Sequence, residues 1–245
     1  MKRNYQLIVY TYIAMQLFSG FGVQLTAAIL QGFGIADENL KLTALAVWLV
    51  FSFGATLIII LLLLRDEFYL RDKFATSLPK SLLWAIFGVF LALFAQAIAA
   101  QIEYLFGVRP GSENTQNILE LINKAPIIII VSSVVGPILE EIVFRKIIFG
   151  TLYKYFNFFV SALVSALLFS VAHLELEHTL LYAAIGFTFA FLYVKTKRII
   201  VPILTHILMN TYVVIIQLSY HDQQAESIHF IGGFLIHILN NLFSN

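Results

Sequence analysis

Apolar residues run through this chain in blocks much longer than the three or four turns of an ordinary soluble helix. The blocks cover about residues 5–35, 42–64, 82–106, 126–149, 156–173, 180–194, 200–219 and 228–243. The second closes on the unbroken run Ile58-Ile59-Ile60-Leu61-Leu62-Leu63-Leu64. A spanning helix needs about 20 predominantly apolar residues, so this pattern predicts an all-α, polytopic membrane helix bundle of about eight transmembrane helices. The first block follows Lys2 and Arg3 as a signal peptide would. It is too long for one and has no small-x-small cleavage site, so it reads as a retained span. The eighth is short and carries His229, His237, Asn240 and Asn241.

Two connecting stretches exceed a turn. Residues 65–81 mix charge with Phe68, Tyr69, Leu70 and Phe74, the composition of a helix lying at the membrane interface. Residues 107–124 begin polar and continue Ile118-Leu119-Glu120-Leu121-Ile122, a short amphipathic turn on the outer side. Neither is a Pro- or Ser-rich linker. The chain therefore reads as a single integral membrane domain, 1–245, with the chemistry concentrated in about 126–219.

Composition agrees with the pattern. Charged residues are 12% of the 245, against roughly 25% in soluble domains. Mean hydropathy is +0.88. A net charge of +1 leaves no basic excess for phosphates, so a nucleic-acid partner is excluded along with a soluble enzyme and a disordered chain. With no cysteine there is no disulfide framework, thiolate nucleophile or thiolate metal site. If the N-terminus is cytoplasmic and all eight blocks span, eleven of the 15 Lys and Arg residues fall on cytoplasmic pieces and three (Lys41, Arg109, Lys124) on outer loops. Arg145 lies within a span. The positive-inside rule then places both termini in the cytoplasm.

Ionisable groups within hydrocarbon cost roughly 2.5–3.5 kcal/mol each even on the mildest scale, and they mark function. Here they gather on three blocks. The fourth reads Gly136-Pro137-Ile138-Leu139-Glu140-Glu141-Ile142-Val143-Phe144-Arg145. Pro137 is expected to kink the helix just ahead of the acids. Glu141 and Arg145 are one turn apart with the acid first, the favourable order for an ion pair. Glu140 is rotated about 100° from them and left without a counter-charge. An acid in a low-dielectric cavity is a better general base than one in water. Glu140 is thus the candidate for chemistry, with Glu141 and Arg145 as its architecture. Phe169 and His173 share a face by the same spacing, as do His206 and Asn210. An imidazole beside a carboxylate orients water, and a His/Asn pair can donate to an oxyanion.

Blander readings exist for each group: a structural clamp for Glu141–Arg145, an interfacial imidazole for His173, an interhelical hydrogen bond for His206 and Asn210. His229 and His237 read as packing residues. Glu175, Glu177 and His178 read as a solvated outer loop.

In combination and order the three motifs resemble the CPBP family of intramembrane glutamic endopeptidases. That family includes CAAX-prenyl proteases and bacteriocin-processing or bacteriocin-immunity proteins. The resemblance rests on Glu140-Glu141-Ile142-Val143-Phe144-Arg145, Phe169-Ser170-Val171-Ala172-His173 and His206-Ile207-Leu208-Met209-Asn210. It covers about 70 residues and implies a mostly eight-helix bundle with a conical polar cavity reaching into the bilayer. It further implies that Glu140, helped by His173, activates the hydrolytic water. His206 and Asn210 would stabilise the oxyanion, and Glu141, Arg145 and Phe169 would support the site, with no cofactor or metal required.

Two other functions use the same residues. Glu and His also serve as zinc or iron ligands, so a metal-dependent membrane protease is one alternative, although HExxH is absent. A non-catalytic membrane scaffold or bacteriocin self-immunity protein is the other. Under the leading reading the partners are the lipid bilayer and a membrane-associated peptide or precursor. The Ile-, Phe-, Lys- and Asn-rich composition points to a bacterial cytoplasmic membrane, hence to a peptide pheromone, bacteriocin or leader precursor as substrate. One spatial difficulty accompanies this reading. On straight spans Glu140 lies about 21 Å below the outer surface while His173 sits near the outer end.

Overall fold

The computed structural model describes residues 2–35, 39–67, 73–109 and 111–221. Within them the chain is helical: α1 (Arg3–Leu17), α2 (Ser19–Gly32), α3 (Leu40–Leu64), α4 (Leu78–Leu105), α5 (Glu113–Lys124), α6 (128–152), α7 (Phe158–Ala172), α8 (Thr179–Thr196) and α9 (Ile200–His221). The packing is that of a membrane protein. Large apolar side chains such as Phe51, Leu62, Phe87 and Phe90 face outward, while α4 buries Ser81, Ala85, Gly88, Ala92, Ala97 and Ala99. Lipid tails are as apolar as Leu, so helices associate where small residues let backbones approach. A Cβ at Gly88 would stand 2.6 Å from Leu192 and 2.7 Å from Thr205. The close approach there also lets Thr205 Oγ1 donate to the Ala85 carbonyl (3.0 Å).

Among the described residues four helices are long and apolar enough to cross a membrane, or five if α1 and α2 together form one bent span. The count of about eight is therefore not reached: the fourth block alternates between α- and π-helical stretches, none long enough alone, and three further reasons are local. The first block is broken: α1 and α2 meet at 59° next to Phe18, where Ser19 and Gly20 weaken the helix. α7 has only 15 residues, about 22 Å of helix against about 30 Å of hydrocarbon. The eighth block, 228–243, with His229 and His237, lies outside the described residues.

The loops also depart from expectation. Of residues 65–81, 68–72, which hold Phe68, Tyr69 and Leu70 of the expected interfacial helix, lie outside the described residues, while Arg65–Glu67 form a one-turn 3₁₀ helix and 73–77 an irregular stretch before α4. That stretch is pinned to the α8–α9 junction, with Arg198 Nε donating to the Thr76 carbonyl (2.6 Å) and Thr76 N–H to that of Thr196 (3.1 Å). The outer turn is a full three-turn helix, α5, because Ser112 caps it by accepting the Thr115 N–H at 3.0 Å. Its apolar face packs Leu119 and Ile122 against Ile128 and Val214.

α6 carries the acids and is the least regular helix. It passes from α-helix (Ile128–Ile130) to π-helix (Val131–Val135), back to α-helix (Gly136–Glu140), then π-helix (Glu141–Phe149), ending α-helical (Gly150–Leu152). The irregularity expected at Pro137 thus takes the form of two widened stretches. Widening shifts backbone bonding from four residues to five and leaves carbonyls for outside donors. Ser132 lies five residues before Pro137, which has no N–H to give it, and Asn210 Nδ2 on α9 donates to that carbonyl at 3.3 Å. Ser165 Oγ on α7 donates to the Phe144 carbonyl at 2.7 Å.

Candidate active site

α6 is wrapped by α1, α3, α7, α8 and α9. Leu139, Ile142, Val143, Phe144 and Ile147 belong to one apolar cluster with Ile8, Tyr12, Ile60, Phe169, Tyr182 and Ile203. In that setting Glu141 and Arg145 are 0% and 1% exposed, and Glu141 Oε2 stands 3.2 Å from Arg145 Nε. The guanidinium carbon lies 4.3 Å from the Phe169 ring centre and 5.2 Å from that of Phe189. Its three nitrogens make no hydrogen bond, so the charge is balanced by Glu141 and by two aromatic faces. Beside it, the close approach of α8 to α7 requires glycine at residue 186. A Cβ there would sit 2.8 Å from the Ala166 Cβ and 3.7 Å from Arg145 Nη2.

The other oxygen of Glu141 turns to α9. His206 Nδ1 lies 3.0 Å from Glu141 Oε1, and because a carboxylate only accepts, that nitrogen donates. His206 Nε2 then points at Glu140, 3.8 Å from Oε2, an ion-pair separation rather than a hydrogen bond. His206 is buried and rests on Phe189, ring centres 4.9 Å apart. Glu140 differs from its neighbour: its side chain is 19% exposed and makes no hydrogen bond. It is therefore accessible, while Glu141 is sealed. Asn210, one turn beyond His206, retains a free carbonyl and one amide hydrogen after serving Ser132.

His173 is joined to this group through Phe169. Their rings are 4.4 Å apart, and Phe169 is 6.2 Å from His206. No hydrogen bond or ion pair links His173 to Glu140. Its Nδ1 lies 2.8 Å from the carbonyl of Phe169, which can only accept, so Nδ1 carries the proton and Nε2 keeps a lone pair. The depth difficulty eases because α7 is short. His173 terminates a helix of about 22 Å, and Glu140 lies 12 residues, about 18 Å, from the corresponding end of α6.

Of the loop expected to be solvated, Glu177 is exposed, but His178 is buried and Glu175 is half-buried. His178 is 5% exposed and Glu103 is 6%, and they meet at 3.0 Å; the second Glu103 oxygen accepts the Leu181 N–H at 3.0 Å and so caps α8. Glu175 accepts from the Asn114 N–H (2.8 Å), the Ser112 hydroxyl (2.9 Å) and the Tyr182 hydroxyl. Burial alone would raise the Glu175 carboxyl. These donors, with His178 nearby, outweigh it and hold the group below the usual carboxylate range. Tyr182 and Glu103 carry no local sequence signal, because their partners are far away along the chain or, for Tyr182, a turn and a loop apart.

A cavity of about 880 Å³ lies between α3 and the start of α6, lined by Leu42, Ala46, Val50, Phe51, Ala125 and Lys124 among others. Glu140, His173, His206 and Asn210 do not line it. Among the described residues no group of three His, Asp or Glu side chains is placed to hold a metal ion. The two nitrogens of His206 are directed at different carboxylates.

Polar groups on three contiguous helices of a multi-span bundle define the class, an integral membrane protein with a buried acid–imidazole centre. The chain belongs to the Rce1-like family of type II CAAX prenyl endopeptidases, whose description matches residues 122–212, the stretch holding all three motifs. It is 50% identical over 245 residues to the membrane peptidase YdiL of Bacillus subtilis (strain 168), covering 95% of this chain and 98% of that one. It is 34% identical over 192 residues to the membrane-embedded CAAX protease MroQ of Staphylococcus aureus (strain USA300), covering 74% and 78%. No solved structure matches the chain significantly. It is thus a multi-pass membrane protein of a protease family with bacterial relatives.

Proposed function

We propose that this protein is an intramembrane endopeptidase that hydrolyses a peptide bond in a membrane-associated peptide or precursor, using Glu140 to activate water. The observation that carries the reading is the contrast between adjacent acids. Glu141 is sealed and committed to Arg145 and His206, while Glu140 is accessible, has no hydrogen-bond partner and faces His206 Nε2 at 3.8 Å. In this mechanism Glu140 takes a proton from a water whose other hydrogen is accepted by His173 Nε2. The resulting hydroxide adds to the scissile carbonyl carbon. The oxyanion receives hydrogen bonds from Asn210 and, when both its nitrogens are protonated, from His206 Nε2. Collapse of the tetrahedral adduct breaks the C–N bond, and the proton held by Glu140 passes to the leaving amine.

Hydrocarbon around the centre strengthens each of these interactions and excludes bulk water. The excess of Lys and Arg on one set of loops favours a cytoplasmic N-terminus. Relatives come from bacteria, and a peptide pheromone, bacteriocin or leader precursor suits such a host. The test compares membrane and secreted peptides from cells carrying the wild type or Glu140→Gln. An uncut precursor should accumulate in the variant. Equal processing by a stably inserted variant would refute the reading.

A further inference from the structure

His173 is the one member of the centre that stands at a helix end, and something must hold it there. α7 stops at Ala172, and Leu174 takes φ +58°, a left-handed conformation that no glycine relieves. The imidazole is clasped on two sides: the Phe169 ring centre lies 4.4 Å away at 61°, and that of Tyr182 on α8 lies 4.3 Å away at 30°. Phe169 belongs to the same helix as His173, so among the described residues Tyr182 is the ring contact that ties the imidazole to another helix. Tyr182 is itself 8% exposed, and its hydroxyl donates to Glu175. Glu175 is anchored on the opposite side of the loop by Ser112 and by the Asn114 N–H, at the start of α5.

We propose that Tyr182 and Glu175 are positioning residues for His173, forming a brace that runs from the N-terminus of α5 through Glu175 and the Tyr182 hydroxyl to the face of the imidazole. The proposal rests on the reading of His173 as a participant in hydrolysis. Stacking fixes the plane of the ring, and the Nδ1 bond to Phe169 fixes its rotation within that plane. Together they set where the free Nε2 lone pair points. Without the hydroxyl, Tyr182 keeps its apolar contacts but loses its link to Glu175, and the ring it carries is free to slide. A water-orienting group displaced by about 1 Å loses rate far more than binding. The brace therefore acts on turnover and leaves substrate affinity alone.

The experiment uses full-length protein in phosphatidylglycerol–phosphatidylethanolamine nanodiscs with ¹⁵N-labelled histidine, and, as substrate, the precursor that accumulates in Glu140→Gln cells. Tyr182→Phe should lower kcat about tenfold with KM within about twofold. Glu175→Gln should do so less, since an amide oxygen still accepts from Ser112 and Asn114. The double variant should be no slower than Tyr182→Phe, because both act through one brace. In each variant the His173 ring resonances should move while those of His206 stay; His173→Gln assigns them. Wild-type kcat in both single variants, multiplicative losses in the double variant, or equal movement of the His206 resonances would overturn the proposal. If Glu140→Gln cells accumulate no precursor, the hydrolytic reading fails separately, and unmoved His173 resonances would still overturn the brace.

Discussion

Two sets of acids lie on either side of His173, and they are satisfied in opposite ways. In mid-bundle, Glu141 Oε2 and all three guanidinium nitrogens of Arg145 lack hydrogen bonds, although the charges are 3.2 Å apart and sealed from solvent. At the periphery of the bundle both oxygens of Glu103 and both of Glu175 are occupied, by His178 and Leu181 in one case and by Ser112, Asn114 and Tyr182 in the other. The outer acids cap helices, as loops near water allow. The inner pair is held by charge, by two aromatic faces and by the single hydrogen bond from His206 Nδ1 to Glu141 Oε1, which suits the scaffold that the proposed function requires around Glu140. Hydrogen bonds fasten the periphery, and electrostatics tensions the centre.

The sharpest way to break the contrast is at Glu140. Glu140→Gln should lower turnover by about 10²- to 10⁴-fold while leaving the melting temperature near wild type, since this carboxylate has no hydrogen bond to lose. A large fall in melting temperature would mean that Glu140 is structural like its neighbour. Next is Arg145→Leu, which strands Glu141 and should destabilise by about 3–5 kcal/mol; adding Glu141→Gln should recover much of that loss. Thermal denaturation in detergent measures both, and a double variant no better than the single would show that the pair is not the reason.

Smaller effects belong to the outer set. Glu103→Ala removes the α8 cap and the partner of His178 and should cost about 1–3 kcal/mol, with activity per folded molecule retained. The mildest is the pH dependence of Glu175. Its folded carboxyl titrates below that of the unfolded chain, so its contribution is present at neutral pH and is lost as acid protonates it, below about pH 4. Glu175→Gln should flatten that acid limb of the stability curve. An unchanged limb would assign it to other carboxylates.

What could be read from sequence follows the range of each interaction. The membrane-bundle class came from long apolar blocks, and the family from motifs at i, i+1 and i+4 spacing, both local properties. The break between α1 and α2 had a local signal as well, in Phe18-Ser19-Gly20-Phe21-Gly22, which the unbroken hydropathy of the block concealed. The widened turns of α6 did not: Pro137 announces a disturbance, but its form depends on Asn210 and Ser165, donors from two other helices. For the same reason His178 looked like part of a wet loop, because its partner Glu103 is 75 positions away. Polar side chains whose partners lie on distant helices cannot be told from solvated ones by composition.

The shortness of α7 has a consequence for the lipid around it. Its 15 residues match a hydrocarbon layer about 8 Å thinner than the usual one, and His173 sits at the end of that deficit. Such mismatch is relieved by local thinning of the leaflet, at a modest cost for each ångström. Headgroups and their hydration would dip toward His173 there, so under the proposed function acyl-chain length becomes a variable that sets how readily water reaches the centre.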